Sequence, residues 1–233
     1  MNPELKHHYA LVSSLTSITT LFLAAFVYTK GRHKKVNILY AFWALCVGLW
    51  SFFLVLNIYA PSLKWALLWC RALHFWAIIL PAVYVHFALL FLYKYKSKRV
   101  VVYLLYTIAG IFLLLDSTPF FITASFRSKF DFFVTQPGIL YPFHILAFVG
   151  SIVYVQLELL QSLRQVSSPK RKQVQYFLIA TLVGYSGGVT NYLINYDYLL
   201  YPLYPYGNIT ILAYVVVIGV SIIRYRLLDI EVI

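Results

Sequence analysis

Charge is what this sequence has least of. Only 11% of its 233 residues are Asp, Glu, Lys or Arg, against 62% hydrophobic. So little polar surface cannot cover a chain in water, which excludes an ordinary soluble domain. Acid is scarcer still, with seven Asp and Glu against nineteen Lys and Arg. Paired carboxylates for acid–base chemistry are therefore missing, Glu158 standing in its apolar stretch without a second one. The six histidines are scattered rather than set at ligand spacing, so no catalytic residue, metal site or cofactor is expected. Two cysteines, Cys46 and Cys70, lie in apolar stretches at different depths and suggest packing rather than a disulfide framework. No charged leader with a small-residue cleavage site opens the chain, so the first apolar segment reads as a retained span. The basic excess comes in short clusters between apolar stretches, where it serves orientation and not nucleic-acid binding.

What is present is hydrophobic length. Seven stretches can each cross a bilayer, at 9–28, 36–58, 64–93, 100–115, 139–163, 174–192 and 206–223. The third is longer than hydrocarbon requires and is expected to tilt, kink at Pro81 or project beyond the membrane. The fourth is short and is expected to extend to Phe121 across Asp116 and Pro119. One set of connections carries Lys30, Arg32, Lys34, Lys35, Lys94, Lys96, Lys98, Arg99, Arg164, Lys170, Arg171, Lys172, Arg224 and Arg226, while the other has Lys6, Lys64, Arg127 and Lys129. That asymmetry predicts an all-α integral membrane bundle of seven transmembrane helices, N-terminus outside and C-terminus cytoplasmic, in the cytoplasmic (inner) membrane. Residues 1–226 form the bundle, and 227–233 read as the start of a cytoplasmic stalk toward an output module absent from the chain. The connection at 116–138 is dense in Phe and reads as an interfacial anchor or as a cap over the bundle.

Polar groups inside spans are costly and usually face the bundle interior. Arg71 and His74 share a helix face in the outer half. At comparable depth stand Asn57, His144, Asn191, Asn195 and Asn208, with Trp69, Tyr192 and Tyr206. Together they make a candidate outward pocket for a small amphipathic ligand with an acidic or carbonyl head. Bonding to backbone or interfacial water, with Arg71 snorkelling to headgroups, is the alternative reading. Nearer the cytoplasm, His86 on the third span and Glu158 on the fifth are a candidate intramembrane pair, read as a structural latch or a signal-sensitive contact; Glu158 reaching the basic inner surface is the alternative. Gly184 and Gly188 allow close helix packing within the bundle, or less readily a homodimer contact. Arg224, Tyr225, Arg226 and Asp229 are candidate signal-output residues.

The last quarter also carries a resemblance. Arg171 and Lys172 ahead of Tyr176 and Phe177, then Gly184, Gly187, Gly188 and Asn191, then Tyr201, Pro202, Gly207 and Asn208, and finally Ile223, Tyr225, Arg226, Leu227, Leu228, Asp229 and Ile230 resemble the N-terminal seven-helix region of bacterial sensor histidine kinases. The resemblance implies a receptor of a two-component system: a sensory input domain with no catalysis of its own, coupled to a cytoplasmic kinase module. Any kinase activity would then lie beyond Ile233.

Other seven-helix classes fit less well. A retinal protein needs a lysine in the last span, and none follows Lys172. The third span ends Phe91, Leu92, Tyr93, Lys94, Tyr95, without the acidic–arginine–aromatic motif of G-protein-coupled receptors. A free-standing transporter is the alternative function, although inverted repeats and interrupted spans are not evident.

Overall fold

The computed structural model describes residues 3–128, 131–196 and 203–225. Its helices are α1 (Pro3–Gly31), α2 (Lys35–Ile58), α3 (Leu63–Phe91), α4 (Tyr95–Leu115), α5 (Tyr141–Leu163), α6 (Ser168–Gly188), the short α7 (Thr190–Leu193) and α8 (Leu203–Tyr225). A two-stranded antiparallel hairpin, β1 (Ile122–Arg127) and β2 (Phe133–Pro137), separates α4 from α5. Among the described residues, six helices are long and apolar enough to cross a membrane, with Lys170–Tyr196 counted as one, and Gly207–Ile222 of α8 is a shorter apolar helix. The protein is thus a bundle of six to seven apolar helices, as the hydrophobic lengths predict.

Contacts run α1–α2–α3–α5–α6–α8 and return to α1, so six helices close a ring while α4 packs outside against α3. The burial follows: 72% of the apolar window of α3 is buried against 17% of that of α4. α3 continues unbroken through Pro81, a residue tolerated in spans where neighbouring groups make good the lost backbone bond. It ends in a tight Schellman turn. Lys94 N–H donates to Leu89 O and Tyr93 N–H to Leu90 O, with Tyr93 itself at φ 59° where glycine is usual.

Small polar residues on α1 face the interior. Ser13, Thr16, Ser17 and Thr20 are all buried, at the three- and four-residue spacing that puts them on one stripe. Thr16 and Thr20 donate to the carbonyls of Val12 and Thr16 one turn back, while Ser17 Oγ crosses to Gly48 O of α2 at 2.9 Å. Such bonds and close packing carry helix association where lipid is as apolar as the side chains. Below them, Trp43 is ringed by Tyr40, Tyr84, Phe87, Phe177 and Tyr214, with centroids 5.1–5.9 Å away. Each such pair adds about 0.5–1.5 kcal/mol beyond area burial.

Two expectations change. α4 ends at Leu115, where Thr118 turns back to bond its carbonyl through both N–H and Oγ, so the helix does not reach Phe121. The 116–138 connection carries a two-stranded hairpin within the otherwise all-helical bundle. Alternation of Ile122, Ala124 and Phe126 with polar residues suits a ladder, and the register shift between Ile122 and Ala124 re-aims the strand. The hairpin contacts α2, α3 and the 3-10 turn Ile194–Tyr196, burying Phe121, Ile122, Phe132, Val134 and Thr135.

Candidate functional site

Beneath the hairpin lies a cavity of about 100 Å³. Its roof is Phe132 with Phe133, Val134 and Thr135 of β2, and its floor is the aromatic cluster of Trp43, Tyr185 and Tyr214. All six helices of the ring contribute, together with α7 and the 3-10 turn. Among the described residues, no Asp, Glu, Lys or Arg lines it.

Two hydrogen-bond chains fix the walls. In the first, His74 Nδ1 lies 2.7 Å from Cys70 O and its Nε2 2.6 Å from Tyr141 Oη, which in turn accepts from Asn195 Nδ2 at 2.8 Å. A carbonyl can only accept, so Nδ1 carries the proton. With Asn195 donating to Tyr141, the tyrosine hydrogen is free to reach Nε2, giving a neutral His74 in the Nδ1–H tautomer. One fully buried hydroxyl thereby joins α3, α5 and the 3-10 turn.

The second chain joins α1, α7 and α8. Tyr9 Oη donates to Asn191 Oδ1 at 2.5 Å, Asn191 Nδ2 to Asn208 Oδ1 at 2.9 Å, and Asn208 Nδ2 to Ser13 Oγ at 3.0 Å. Val189 keeps helical dihedrals between α6 and α7, so Asn191 and Asn195 are carried on the continuation of the Lys170–Tyr196 span.

The roof is tied down from below. Asn57 Nδ2 donates to Phe133 O at 2.6 Å, and Ser125 of β1 bonds Cys70 Sγ at 3.3 Å. Lys6 Nζ reaches Asp131 O at 3.2 Å, so the start of α1 and the hairpin tip share one end of the bundle. Tyr9 stacks on Phe132 with centroids 5.6 Å apart.

Of the residues predicted to form a pocket, Asn57, His74, Asn191 and Asn195 line the cavity. His144 and Asn208 stand one layer behind, bonded to the wall residues Tyr192 (3.2 Å) and Asn191. Of the aromatic residues named with them, Tyr192 is in the wall and Trp69 stacks instead on Phe53 and Trp65. Arg71 is not in the wall. Its Nε is buried without a hydrogen-bond partner among the described residues, and its charge acts on Asp116, one residue beyond the α4 span. Burial pushes the Asp116 carboxyl up to about 7, with Arg71 opposing the rise.

The His86–Glu158 pair does not form. His86 Nδ1 lies 3.3 Å from Tyr106 Oη and stacks on Tyr95. Glu158 is clamped by Lys94 at 2.9 Å and by Lys98, because lysine stems from the α3–α4 turn reach the carboxylate with their ammonium heads at the water boundary. Near the same turn, Lys170 Nζ sits 3.7 Å from the centroid of the Phe91 ring. The close approach of α6 to α8 uses Gly184 and Gly187 rather than Gly184 and Gly188. A Cβ on Gly184 would lie 2.7 Å from Tyr214 Cβ, and one on Gly187 would collide with Gly207 O. At Gly188 it would meet only Ile211 Cδ1, at 3.9 Å. Both Gly184 and Gly188 line the cavity. Among the proposed output residues, Arg226 and Asp229 lie outside the described residues, as do the side chains of Arg224 and Tyr225.

Tyr9, Trp43, Tyr141 and the β2 roof were not singled out from sequence. Among 21 Tyr and 18 Phe, nothing local distinguishes a tyrosine that bridges two helices from one at the headgroup level. The available signal was the outer depth that Asn191 and Asn195 share with Asn57 and His74.

A ring of apolar helices around a roofed cavity is the architecture of a multi-pass membrane protein. The family described as the N-terminal 7TM region of histidine kinase matches residues 12–231, and the chain belongs to it. No curated protein and no solved structure matches.

Proposed function

We propose that this chain is the membrane-embedded sensory input region of a histidine kinase. It lies in the cytoplasmic membrane with the hairpin end outside and the end of α8 inside, receives an extracytoplasmic or membrane-borne stimulus in the roofed cavity, and passes a shift through α8 to a cytoplasmic output module. Family membership supports the kinase setting, and the distribution of basic residues supports the orientation. The observation that carries the transmission step is that Ile211 and Tyr214 of α8 share one wall with residues from every other helix of the ring. An occupant that fits one arrangement of those helices better than another biases α8 directly.

The test is autophosphorylation of the complete receptor in vesicles, with the hairpin intact and with residues 123–136 replaced by a Gly-Ser linker. Coupling of ordinary strength changes output roughly fivefold or more. Unchanged output in a folded receptor would refute the coupling. Orientation is read separately, from impermeant labelling of single cysteines at Arg127 and Arg164, since Cys46 and Cys70 are buried.

A further inference from the structure

The wall of the cavity names the chemistry of an occupant. Among the described residues no ionic side chain lines it, and Arg71 stands outside, so an isolated charge would be desolvated without a counterion. Hydrogen-bonding capacity in the wall is mostly spent inside it. Both nitrogens of His74 are engaged, by Cys70 O and by Tyr141, and Tyr141 also accepts from Asn195. Asn57 donates to Phe133 O and accepts from Cys70 Sγ, while Asn191 accepts from Tyr9 and donates to Asn208. A polar head group entering the site would leave its water behind and find few free partners. The remaining wall is apolar, with Leu54, Leu73, Ala77, Leu80 and Ile211 added to the aromatic floor. As to size, an apolar cavity of about 150 Å³ holds one benzene, so about 100 Å³ is the scale of a single ring or a short chain. Protein interiors hold few voids larger than a water molecule, and one this large leaves its lining atoms without contacts on one side. A molecule without hydrogen-bonding groups supplies those contacts and has no polar group to desolvate.

We propose that the cavity binds a small uncharged molecule of about one ring's size that carries no hydrogen-bonding group, with the β1–β2 hairpin as the cover that separates it from water. Selection is by size and hydrocarbon-like surface, not by a head group. The assignment rests on the sensory reading for its purpose and replaces the acidic or carbonyl head of the sequence-based expectation. It is tested by binding alone, so that it and the coupling to a kinase fail independently.

The probe is fluorobenzene, followed by fluorine NMR on the full chain in phospholipid nanodiscs, with empty nanodiscs subtracting lipid partition. The expected result is saturable binding. 4-Fluorophenol adds one hydroxyl for which the wall has few free partners, and should bind roughly tenfold more weakly. 1-Fluoronaphthalene adds a second fused ring, exceeds the cavity, and should show no saturable binding. Ala77→Leu adds three carbons to a wall residue that is 3% exposed, and is expected to weaken fluorobenzene roughly tenfold or more. The two comparisons on the wild type decide the question even if Ala77→Leu fails to fold. No saturable binding of fluorobenzene by the wild type overturns the proposal. So does fluorophenol binding as tightly as fluorobenzene, saturable binding of fluoronaphthalene, or undiminished binding by folded Ala77→Leu.

Discussion

Removing one oxygen atom, in Tyr141→Phe, tests the reading of the wall. The Tyr141 hydroxyl is fully buried, donates to His74 Nε2 at 2.6 Å and accepts from Asn195 Nδ2 at 2.8 Å. Phenylalanine fills nearly the same volume, so the change leaves one buried acceptor and one buried donor without partners and little else. Each such group costs about 1–3 kcal/mol, giving roughly 2–6 kcal/mol for the pair. The adjoining cavity lowers that figure, because a water admitted from it can re-pair Asn195, and about 2–3 kcal/mol is the expected loss. The assay is the unfolding free energy of the purified protein by denaturant titration in mixed micelles, with Tyr192→Phe as comparison. Tyr192 has a single 3.2 Å contact with His144, and its loss should cost about 1 kcal/mol. In a His74→Phe background the acceptor is already gone, so Tyr141→Phe should cost about half as much as in the wild type. A Tyr141→Phe loss under about 0.5 kcal/mol, or the same loss in both backgrounds, would refute the bridging role.

Three further outcomes are expected. Asp116 is raised to about 7 by burial, so the folded state holds its proton where the unfolded chain has released it. Stability should therefore be highest at low pH, fall as pH rises from about 4 to about 7, and level off above; Asp116→Asn should abolish that slope in pH-dependent unfolding. Gly187→Ala drives a methyl group into the Gly207 carbonyl and should cost about 1–3 kcal/mol, whereas Gly188→Ala should stay within about 1 kcal/mol, reversing the order expected from a four-residue small-residue motif. Glu158→Gln removes the charge held by Lys94 and Lys98. Because those lysines are 21% and 35% exposed and can turn to water, the loss should be about 1–2 kcal/mol, below the roughly 3–5 kcal/mol of a fully buried pair. A Glu158→Gln, Lys94→Gln double-mutant cycle measures the pairing, and a coupling near zero would assign Glu158 to packing alone.

What sequence alone determined here is the set of spans and the depth of their polar residues. Hydrophobic length is a local property, and the bilayer admits few backbone solutions, so helix number and position follow from composition along the chain. Depth follows too: Asn57, His74, Asn191 and Asn195 belong at one level and do meet at one cavity. Which way a residue faces around the ring is not local. Arg71 and His74 share a helix face, yet only His74 reaches the wall, while the charge of Arg71 acts on Asp116. Glu158 and His86 are at similar depth, yet Lys94 in the α3–α4 turn and Lys98 in the first turn of α4 claim Glu158 first. The hairpin was hidden for a related reason. Its aromatic residues suit a membrane interface as well as a strand, and only packing against α2, α3 and the Ile194–Tyr196 turn selects the strand. Tertiary structure alone decided the partners, because a partner is set by distance in space, and residues such as Tyr9 and Asn191 are brought together only when the ring of helices closes.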